Sequence, residues 1–529
     1  MYSNPYVPYS FSKFQDAIDL IWSLNENTYD FVFKETIEHL NNKVVDPKSV
    51  YIALINLYHV KIHLVQSIFS FISRLSKFFE MKKLNFNIED SPLRTMLIQA
   101  NIIESSIDFV GYPLKEFKIS APFISSINLS LINDNFLEFI KFTNDVSNYD
   151  SQLVHVHYEK QTYLSLLDAA AFYGSFKIFT YLFRPNRISK HTFSLACYGG
   201  NINIVRLLLQ HVNKIHIDSY CIENAIINHH NNVANYLLSK YDIKYSWSST
   251  LSTNNLYFFF KKLKDSKNIN EYDCNEVNAI LCCARYENKE LLKYLISIGA
   301  NIESMDKSKR TPLIVAADAG NSSTIKCLLK YGAEINKRTA SGSTALLRSC
   351  YSGNLNCCKI FLESGANTEI KNDFGMSPLL IACAHNYVDI LELLLNYNAC
   401  FVTVDNGGRN CFEICIKNNS LDCLKVLLSH NANPNVVNSD GLTPLLLAAK
   451  LGNANIVKAL LTAKANPDVK DQYGRTAREI AVDLDFGKVV HAIDYCTKNI
   501  HIVQKLTISS SFRNLYDFNN NFSSEIVSF

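Results

Sequence analysis

Residues 440–465 read DGLTPLLLAAKLGNANIVKALLTAKA, and the plan of this stretch decides the fold. The same plan returns every 33 residues around a fixed Thr, Ser or Asn position, which we call the anchor. A fixed period in this range marks an array of stacked supersecondary units. Such arrays usually present extended binding surfaces. The six anchors are Thr311, Thr344, Ser377, Asn410, Thr443 and Thr476.

Each unit predicts two helices joined by tight turns. In the first complete unit, Thr311 is placed to cap a helix, and Pro312 fits the first helical turn because it needs no N–H partner there. Gly320 supplies the left-handed conformation that ends this helix. A second helix follows through Ile325 and Leu328, which are spaced as a core stripe. Because neither helix can bury its apolar face alone, each unit must stack on its neighbours.

This pattern resembles the ankyrin repeat family. The quoted stretch carries the resemblance in Thr443-Pro444-Leu445, in Ala448-Ala449 and in Gly452-Asn453. The resemblance implies an all-α fold, an ankyrin-repeat solenoid of helix-turn-helix units with short β-turn fingers. The family's usual His after Thr-Pro-Leu is absent, and in one unit Glu413 stands there. We expect its absence to remove a hydrogen bond between neighbouring repeats.

The N-terminal part lacks the 33-residue period and is predicted to be a small all-α domain. Apolar spacing around Ile18 predicts one amphipathic helix, residues 29–40 predict a second, and residues 50–79 predict a long helix or a pair. An uncharacterised helical domain ahead of divergent repeats resembles the arrangement in large ankyrin families of single-celled eukaryotes.

Four segments follow from the phase of the repeats. The last repeat carries Arg478 and Asp494 where its predecessors carry apolar residues, which fits a polar cap. We expect the residues beyond the cap to be poorly ordered or to pack as a short appendage. The predicted segments are an N-terminal helical domain over 1–119, degenerate ankyrin repeats over 120–268, regular ankyrin repeats over 269–496 and a C-terminal tail over 497–529.

Composition narrows the class of protein. The 529 residues are 48% apolar and 19% charged, an ordinary globular balance. A net charge of +3 is too small to indicate a nucleic-acid partner by bulk electrostatics. The start of the chain has no secretory pattern, and the most apolar early stretch, 65–79, is interrupted by Arg74 and Lys77. We therefore expect no membrane span.

Several of the fifteen cysteines are interpreted as packing residues. Cys350, Cys383 and Cys415 take positions on the first helix where other repeats carry small or apolar residues. No Cys-x-x-Cys pair occurs, and Cys411 with Cys415 alone makes a poor zinc site. We therefore predict no metal and a reducing, cytoplasmic location.

The sequence carries no recognised catalytic motif. It lacks a phosphate-binding loop, a His-Glu-x-x-His zinc helix and a Gly-x-Ser-x-Gly elbow. We therefore expect no enzyme activity and no cofactor. The His155/His157 and His229/His230 pairs are interpreted as surface or hydrogen-bonded histidines. The lysines at 261, 262, 264 and 267 are interpreted as a solvated helix face, with contact to phosphate or an acidic partner as the alternative.

The predicted function is binding of a protein partner, as a scaffold or adaptor. The alternative is an effector whose N-terminal helical domain carries the specific activity while the array only targets it. In ankyrin arrays, partners contact the finger tips and the exposed side of the first helix, which together form a concave groove. For any single residue there, simple exposure on a scaffold is the competing interpretation. Carried onto this sequence, the groove positions are Lys307, Ser308, Arg310, Tyr351, Asp373, Phe374, His385, Arg409, Lys417, Lys450, Gln472, Tyr473 and Arg475.

Overall fold

In the computed structural model, the chain divides into two compact units, residues 1–282 and 283–529. Among the residues described, every helix is too short or too polar to cross a bilayer. The division into two units does not test the four predicted segments, which remain predictions. The structure describes residues 9–24, 28–42, 130–144, 153–156, 162–185, 188–189, 191–211 and 217–498, with seven positions between 50 and 75.

The first unit is built mainly of short helices. Alternating Val154 and Val156 favour an extended strand, and a β-hairpin results, with Leu153 opposite Ser165. The helices predicted around Ile18 and over 29–40 are confirmed; the one over 50–79 lies mostly outside the described residues. The elements are α1 Tyr9–Trp22, α2 Tyr29–Asn41, α3 Phe136–Asn144, β1 Leu153–Val156, β2 Thr162–Ser165, α4 Leu166–Phe172, α5 Phe176–Leu182, α6 Thr192–Gly199, α7 Ile202–His211, α8 Ser219–Ile227, α9 Asn231–Lys240, α10 Trp247–Leu251 and α11 Leu256–Asp265, with α12 Ala279–Arg285 at the border between the units.

Polar contacts join α1 to His229 and Leu256 of the same unit. The Gln15 side-chain oxygen accepts a hydrogen bond of 2.6 Å from the Leu256 backbone N–H. The His229 ring stacks on Trp22 with centroids 4.7 Å apart. Its Nδ1 lies 2.9 Å from Asp19 Oδ1, and its Nε2 lies 2.9 Å from the Thr253 carbonyl oxygen. His229 is therefore a hydrogen-bonded structural residue, as the sequence predicted.

Two lysines of the cluster at 261, 262, 264 and 267 differ from their prediction. Lys261 Nζ donates a hydrogen bond of 2.7 Å to Asn235. Lys262 Nζ donates to the Tyr245 carbonyl and lies 5.1 Å from the Trp247 ring centroid. Burial lowers the pKa of both lysines. The interpretation as a solvated helix face was wrong for these two residues. Their long aliphatic stems cover the aromatic core, and their amines donate hydrogen bonds to other residues of the protein.

The second unit contains the regular repeats. First helices contact the first helices of neighbouring repeats, and second helices contact second helices. The all-α solenoid of stacked helix-turn-helix units expected for this array is confirmed. Its elements are α13 Lys289–Ser297, α14 Pro312–Asp318, α15 Ser322–Lys330, α16 Ala345–Tyr351, α17 Leu355–Glu363, α18 Pro378–His385, α19 Val388–Asn396, α20 Cys411–Lys417, α21 Leu421–Ser429, α22 Pro444–Lys450, α23 Ala454–Thr462, α24 Ala477–Asp483 and a helix over residues 487–498.

The six anchors are N-caps, as predicted. The Thr311 hydroxyl accepts from the Ile314 backbone N–H, and the Asn410 side-chain oxygen accepts from that of Glu413. The corresponding bond forms at the other four anchors. In the last repeat, Glu479 completes a reciprocal capping box with Thr476. The 33-residue spacing is thus a spacing of helix starts.

Two further polar contacts hold the array together. The Asn321 amide donates to the carbonyls of Ala284 and Arg285 in the preceding repeat, at 2.8 and 2.7 Å. At the last repeat, Arg478 and Asp494 form two hydrogen bonds of 2.7 and 3.1 Å. The polar cap predicted from these two residues is therefore an ion pair between the two helices of the last repeat.

Twelve of the fifteen cysteines are buried, and the packing interpretation is confirmed for Cys350, Cys383 and Cys415 among them. Cys350 and Cys358 place their sulfur atoms 3.7 Å apart between the two helices of one repeat. Burial raises the pKa of Cys411 and of Cys423 to about 12. These thiols are therefore protonated at neutral pH, and a protonated thiol is a poor nucleophile.

We expect Ellman's reagent to separate the cysteines by burial. In the native protein at neutral pH, the exposed Cys274 and Cys400 should react first and the half-buried Cys496 more slowly. The twelve buried thiols should react only after unfolding in guanidinium. Mass spectrometry of the modified peptides assigns each site. Early labelling of Cys383 or Cys415 in the folded protein would contradict the packing described above.

Two glycines, each placed two residues before an anchor, allow the cost of backbone strain to be measured apart from the cost of steric overlap. Gly375 and Gly441 have φ of +76° and +72°, so alanine is strained at both. A Cβ at Gly375 would also overlap the Asn406 backbone nitrogen, whereas no heavy atom lies within 4 Å at Gly441. We expect Gly441→Ala to lower the free energy of unfolding by about 1 kcal/mol and Gly375→Ala by a further ~1–3 kcal/mol. Urea denaturation measures both, and equal losses would show that the overlap is relieved without cost.

Candidate interaction surface

Each finger is the turn between a second helix and the next anchor, and a side chain at its base holds it. The Asp306 carboxylate accepts hydrogen bonds of 2.9 Å from the backbone N–H groups of Ser308 and Arg310. Asn372, Asp405, Asn438 and Asp471 accept the equivalent pairs. Sequence reasoning missed these residues. Their signal was visible, because Asp or Asn stands five residues before five of the six anchors.

Three of the predicted contact residues are arginines directly before an anchor, and all three close their own finger. Arg310 Nε lies 2.7 Å from Asp306, and Arg409 Nε lies 2.7 Å from Asp405. Arg475 forms hydrogen bonds of 3.1 and 2.9 Å with Asp471. These arginines therefore stabilise the finger, whatever else they contact.

Two of these arginines also reach the first helix of their repeat. Arg310 Nη1 lies 3.3 Å from the Asp318 carboxylate, and Arg475 Nη1 lies 3.1 Å from Asp483. Asp318 further accepts from Arg348 Nε of the next repeat. The residue before the anchor and the residue seven positions after it therefore meet where finger joins helix. We call this meeting point the finger–helix junction.

Glu413 replaces the family's usual histidine and forms an inter-repeat bond of its own. Its side chain is 3% exposed, pairs with Lys417 Nζ at 2.6 Å and accepts a hydrogen bond of 3.1 Å from Asn438 in the next finger. The expected loss of an inter-repeat hydrogen bond was wrong for this repeat. A buried carboxylate needs such partners, because leaving it unpaired is costly.

An aromatic cluster lies at the ends of two neighbouring first helices. Tyr351 and His385 meet edge to face, with centroids 6.1 Å apart, and His385 stacks on Tyr387 at 5.4 Å. The Tyr351 hydroxyl accepts a hydrogen bond of 3.1 Å from the Asn372 amide. Two of the predicted contact residues, Tyr351 and His385, are thus brought together, and Tyr387 is a member that sequence reasoning missed.

The finger tips carry the most exposed aromatic side chains of the set. Phe374 is 70% exposed and Tyr473 is 72% exposed, and the Arg475 guanidinium lies 5.2 Å from the Tyr473 ring centroid. Asp373 lies 3.5 Å from Arg338 in the preceding finger. Solvent also reaches the remaining predicted residues, which are Lys307, Ser308, Lys450 and Gln472.

A separate shallow depression of about 460 Å³ lies between the second helices of two repeats. Two lysines and apolar side chains form its walls, and none of the predicted contact residues lines it. The depression is therefore distinct from the fingers and the first helices. Its lining residues are Lys326, Leu329, Lys330, Ala333, Ile335, Ile360 and Ser364.

A family model agrees with the repeat architecture. The family model described as ankyrin repeats (3 copies) matches residues 251–339, 280–372, 336–406 and 412–504. A model described as a domain of unknown function (DUF3447) matches residues 183–262. A search of curated proteins finds no match. Among solved structures, the chain is similar to the human ASB11 ankyrin repeat domain, at 25% identity over 42% of this chain and 98% of that one, with a TM-score of 0.37.

The Asp405 carboxylate gives a pH-dependent prediction. Burial acts to raise the pKa of Asp405, but the Arg409 guanidinium and the N–H groups of Arg409 and Gly407 outweigh it and hold the pKa below its usual value. A depressed carboxyl pKa contributes stability above the unfolded pKa of about 3.9 and loses it as pH falls through the folded pKa. We expect Asp405→Asn to cost about 1 kcal/mol at pH 7, and less as the pH falls below about 4.

Urea denaturation at pH 7 and at a pH below about 4 checks this expectation. Asn retains the backbone bonds, as Asn372 and Asn438 show in their own fingers, so only the ion pair is removed. The control is Asp440→Asn, which removes an exposed charge from the next finger and should change stability by less than ~0.5 kcal/mol. A cost of Asp405→Asn that grows in acid would show that the ion pair is not its source.

Proposed function

The regular repeats of this chain are ankyrin repeats, which form protein–protein interaction domains, and from that premise we propose a non-enzymatic scaffold or adaptor. It binds a protein partner along the groove formed by the fingers and first helices of its regular repeats. A reducing, cytoplasmic location accompanies this proposal and is supported by the twelve buried free thiols.

The observation that carries the proposal is that exposed aromatic side chains lie at the tips of fingers whose backbone is held by side-chain hydrogen bonds. Phe374 and Tyr473 stand in solvent, while Asn372 and Asp471 fix the backbone beneath them. Aromatic and arginine side chains dominate the binding energy of protein interfaces. A finger that is already ordered loses little conformational entropy on binding, so more of the contact energy appears as affinity.

The second candidate is an effector whose N-terminal helical part carries a specific activity while the array targets it. The observation that favours it is the separate character of the first unit. Residues 183–262 match a different family model, and α1 forms hydrogen bonds with His229 and Leu256 of that segment. In this candidate, the regular repeats still bind a protein partner.

Site-specific photo-crosslinking in the full-length chain tests the groove. Benzoylphenylalanine replaces Phe374 or Tyr473, and the control places it at Tyr397, which is 41% exposed at the end of the second helix α19. In lysate from the source cells, we expect the same crosslinked partner from both finger positions and none from the control. Crosslinks of equal yield from all three positions, or from Tyr397 alone, would exclude the groove as the binding surface.

A further inference from the structure

The finger–helix junction differs in charge from repeat to repeat. In the repeats anchored at Thr311 and Thr476, an arginine before the anchor meets an aspartate seven positions after it, so each junction carries its own anion. In the repeat anchored at Asn410, the same two positions hold Arg409 and Lys417. Two cations occupy the positions where the repeats anchored at Thr311 and Thr476 hold an ion pair.

The carboxylates that balance Arg409 and Lys417 lie beneath the surface. The Asp405 side chain is fully buried and the Glu413 side chain is almost so, whereas Arg409 and Lys417 are about half exposed. The cationic groups therefore face the solvent while their anions do not. Because the buried carboxylates also hold the two cations in place, a ligand would find them already oriented.

The next repeat extends this cationic strip. Lys450 occupies the position that corresponds to Lys417 and is exposed. Among the residues that the structure describes, its amine has no hydrogen-bond or ion-pair partner. Leu442, before the anchor, adds a half-buried apolar side chain at that junction. Neighbouring first helices pack about 8–10 Å apart, a spacing that a short extended peptide spans with three residues.

We propose that the partner presents an acidic segment whose carboxylates occupy the junctions between Arg409, Lys417 and Lys450. The partner's carboxylate takes the place that Asp318 and Asp483 fill within their own repeats. This inference rests on the groove function proposed above and adds the chemical class of the partner. Charge complementarity of this kind sets specificity and association rate.

Fluorescence anisotropy with the full-length chain tests the class of ligand. The probes are two fluorescein-labelled octapeptides, one alternating Glu and Tyr and the other alternating Gln and Tyr. At about 50 mM NaCl, we expect the acidic peptide to bind about tenfold more tightly, with the difference shrinking at about 300 mM NaCl because salt screens exposed charges. Equal affinity of the two peptides at low salt would overturn the proposal.

Matched variants locate the site. Lys450→Glu should weaken the acidic peptide about fivefold, whereas Lys458→Glu, with the same charge change on the second helix of that repeat, should leave it unchanged. The double variant Glu413→Gln/Lys417→Asp places a carboxylate beside Arg409, as in the repeats anchored at Thr311 and Thr476. It should abolish the preference for the acidic peptide while far-UV circular dichroism stays unchanged.

The outcomes separate the two proposals. If Lys458→Glu weakens binding as much as Lys450→Glu, the effect is bulk charge and the acidic class is wrong. If the partner still crosslinks at Phe374 and Tyr473 while acidic and neutral peptides bind alike, the groove function stands and only the acidic class fails. If the finger crosslinks are also absent, the groove function itself fails.

Discussion

Stacking of one helix pair on the next is the constraint on which the second unit depends. A helix of seven residues, such as α14 or α20, is too short to be stable alone in water. Its apolar face must be covered by the neighbouring repeats, and Ala316, Ser349 and Ala382 are fully buried where first helices meet. Small residues there allow close approach, and the caps and finger bonds then satisfy the backbone that short helices leave exposed.

Much of the array could be predicted from sequence because its determinants are local. An anchor side chain accepts a hydrogen bond from the backbone N–H three residues later, and the core stripe follows helical spacing. Both patterns can therefore be recognised in the sequence itself. Contacts between repeats are less visible. The Arg310–Asp318–Arg348 contact and the Glu413–Asn438 bond depend on which side chains face each other across two repeats. The first unit was harder to predict, because its sequence has no fixed period and Lys262 is held by residues distant in sequence.

The candidate surface combines residues of two kinds, and exposure alone does not tell them apart. The Phe374 and Tyr473 side chains are largely exposed and are placed mainly by the backbone below them. Arg310 and Arg475 are already engaged within their repeats, so a partner would have to compete with Asp306, Asp318, Asp471 and Asp483. Sequence reasoning grouped both kinds because the family pattern gives position only. The side-chain partners decide which arginines remain available to bind.

The contact between Gln15 and Leu256 has a consequence for synthesis of the chain. The two residues are separated by 241 positions, so α1 leaves the ribosome long before its partner exists. At translation rates of about 5–20 residues per second, that interval is on the order of tens of seconds. During it, the apolar face of α1, with Ile18 and Ile21, has none of its α11 partners to cover it. Full burial of α1 therefore has to wait until residues 256–265 have been synthesised.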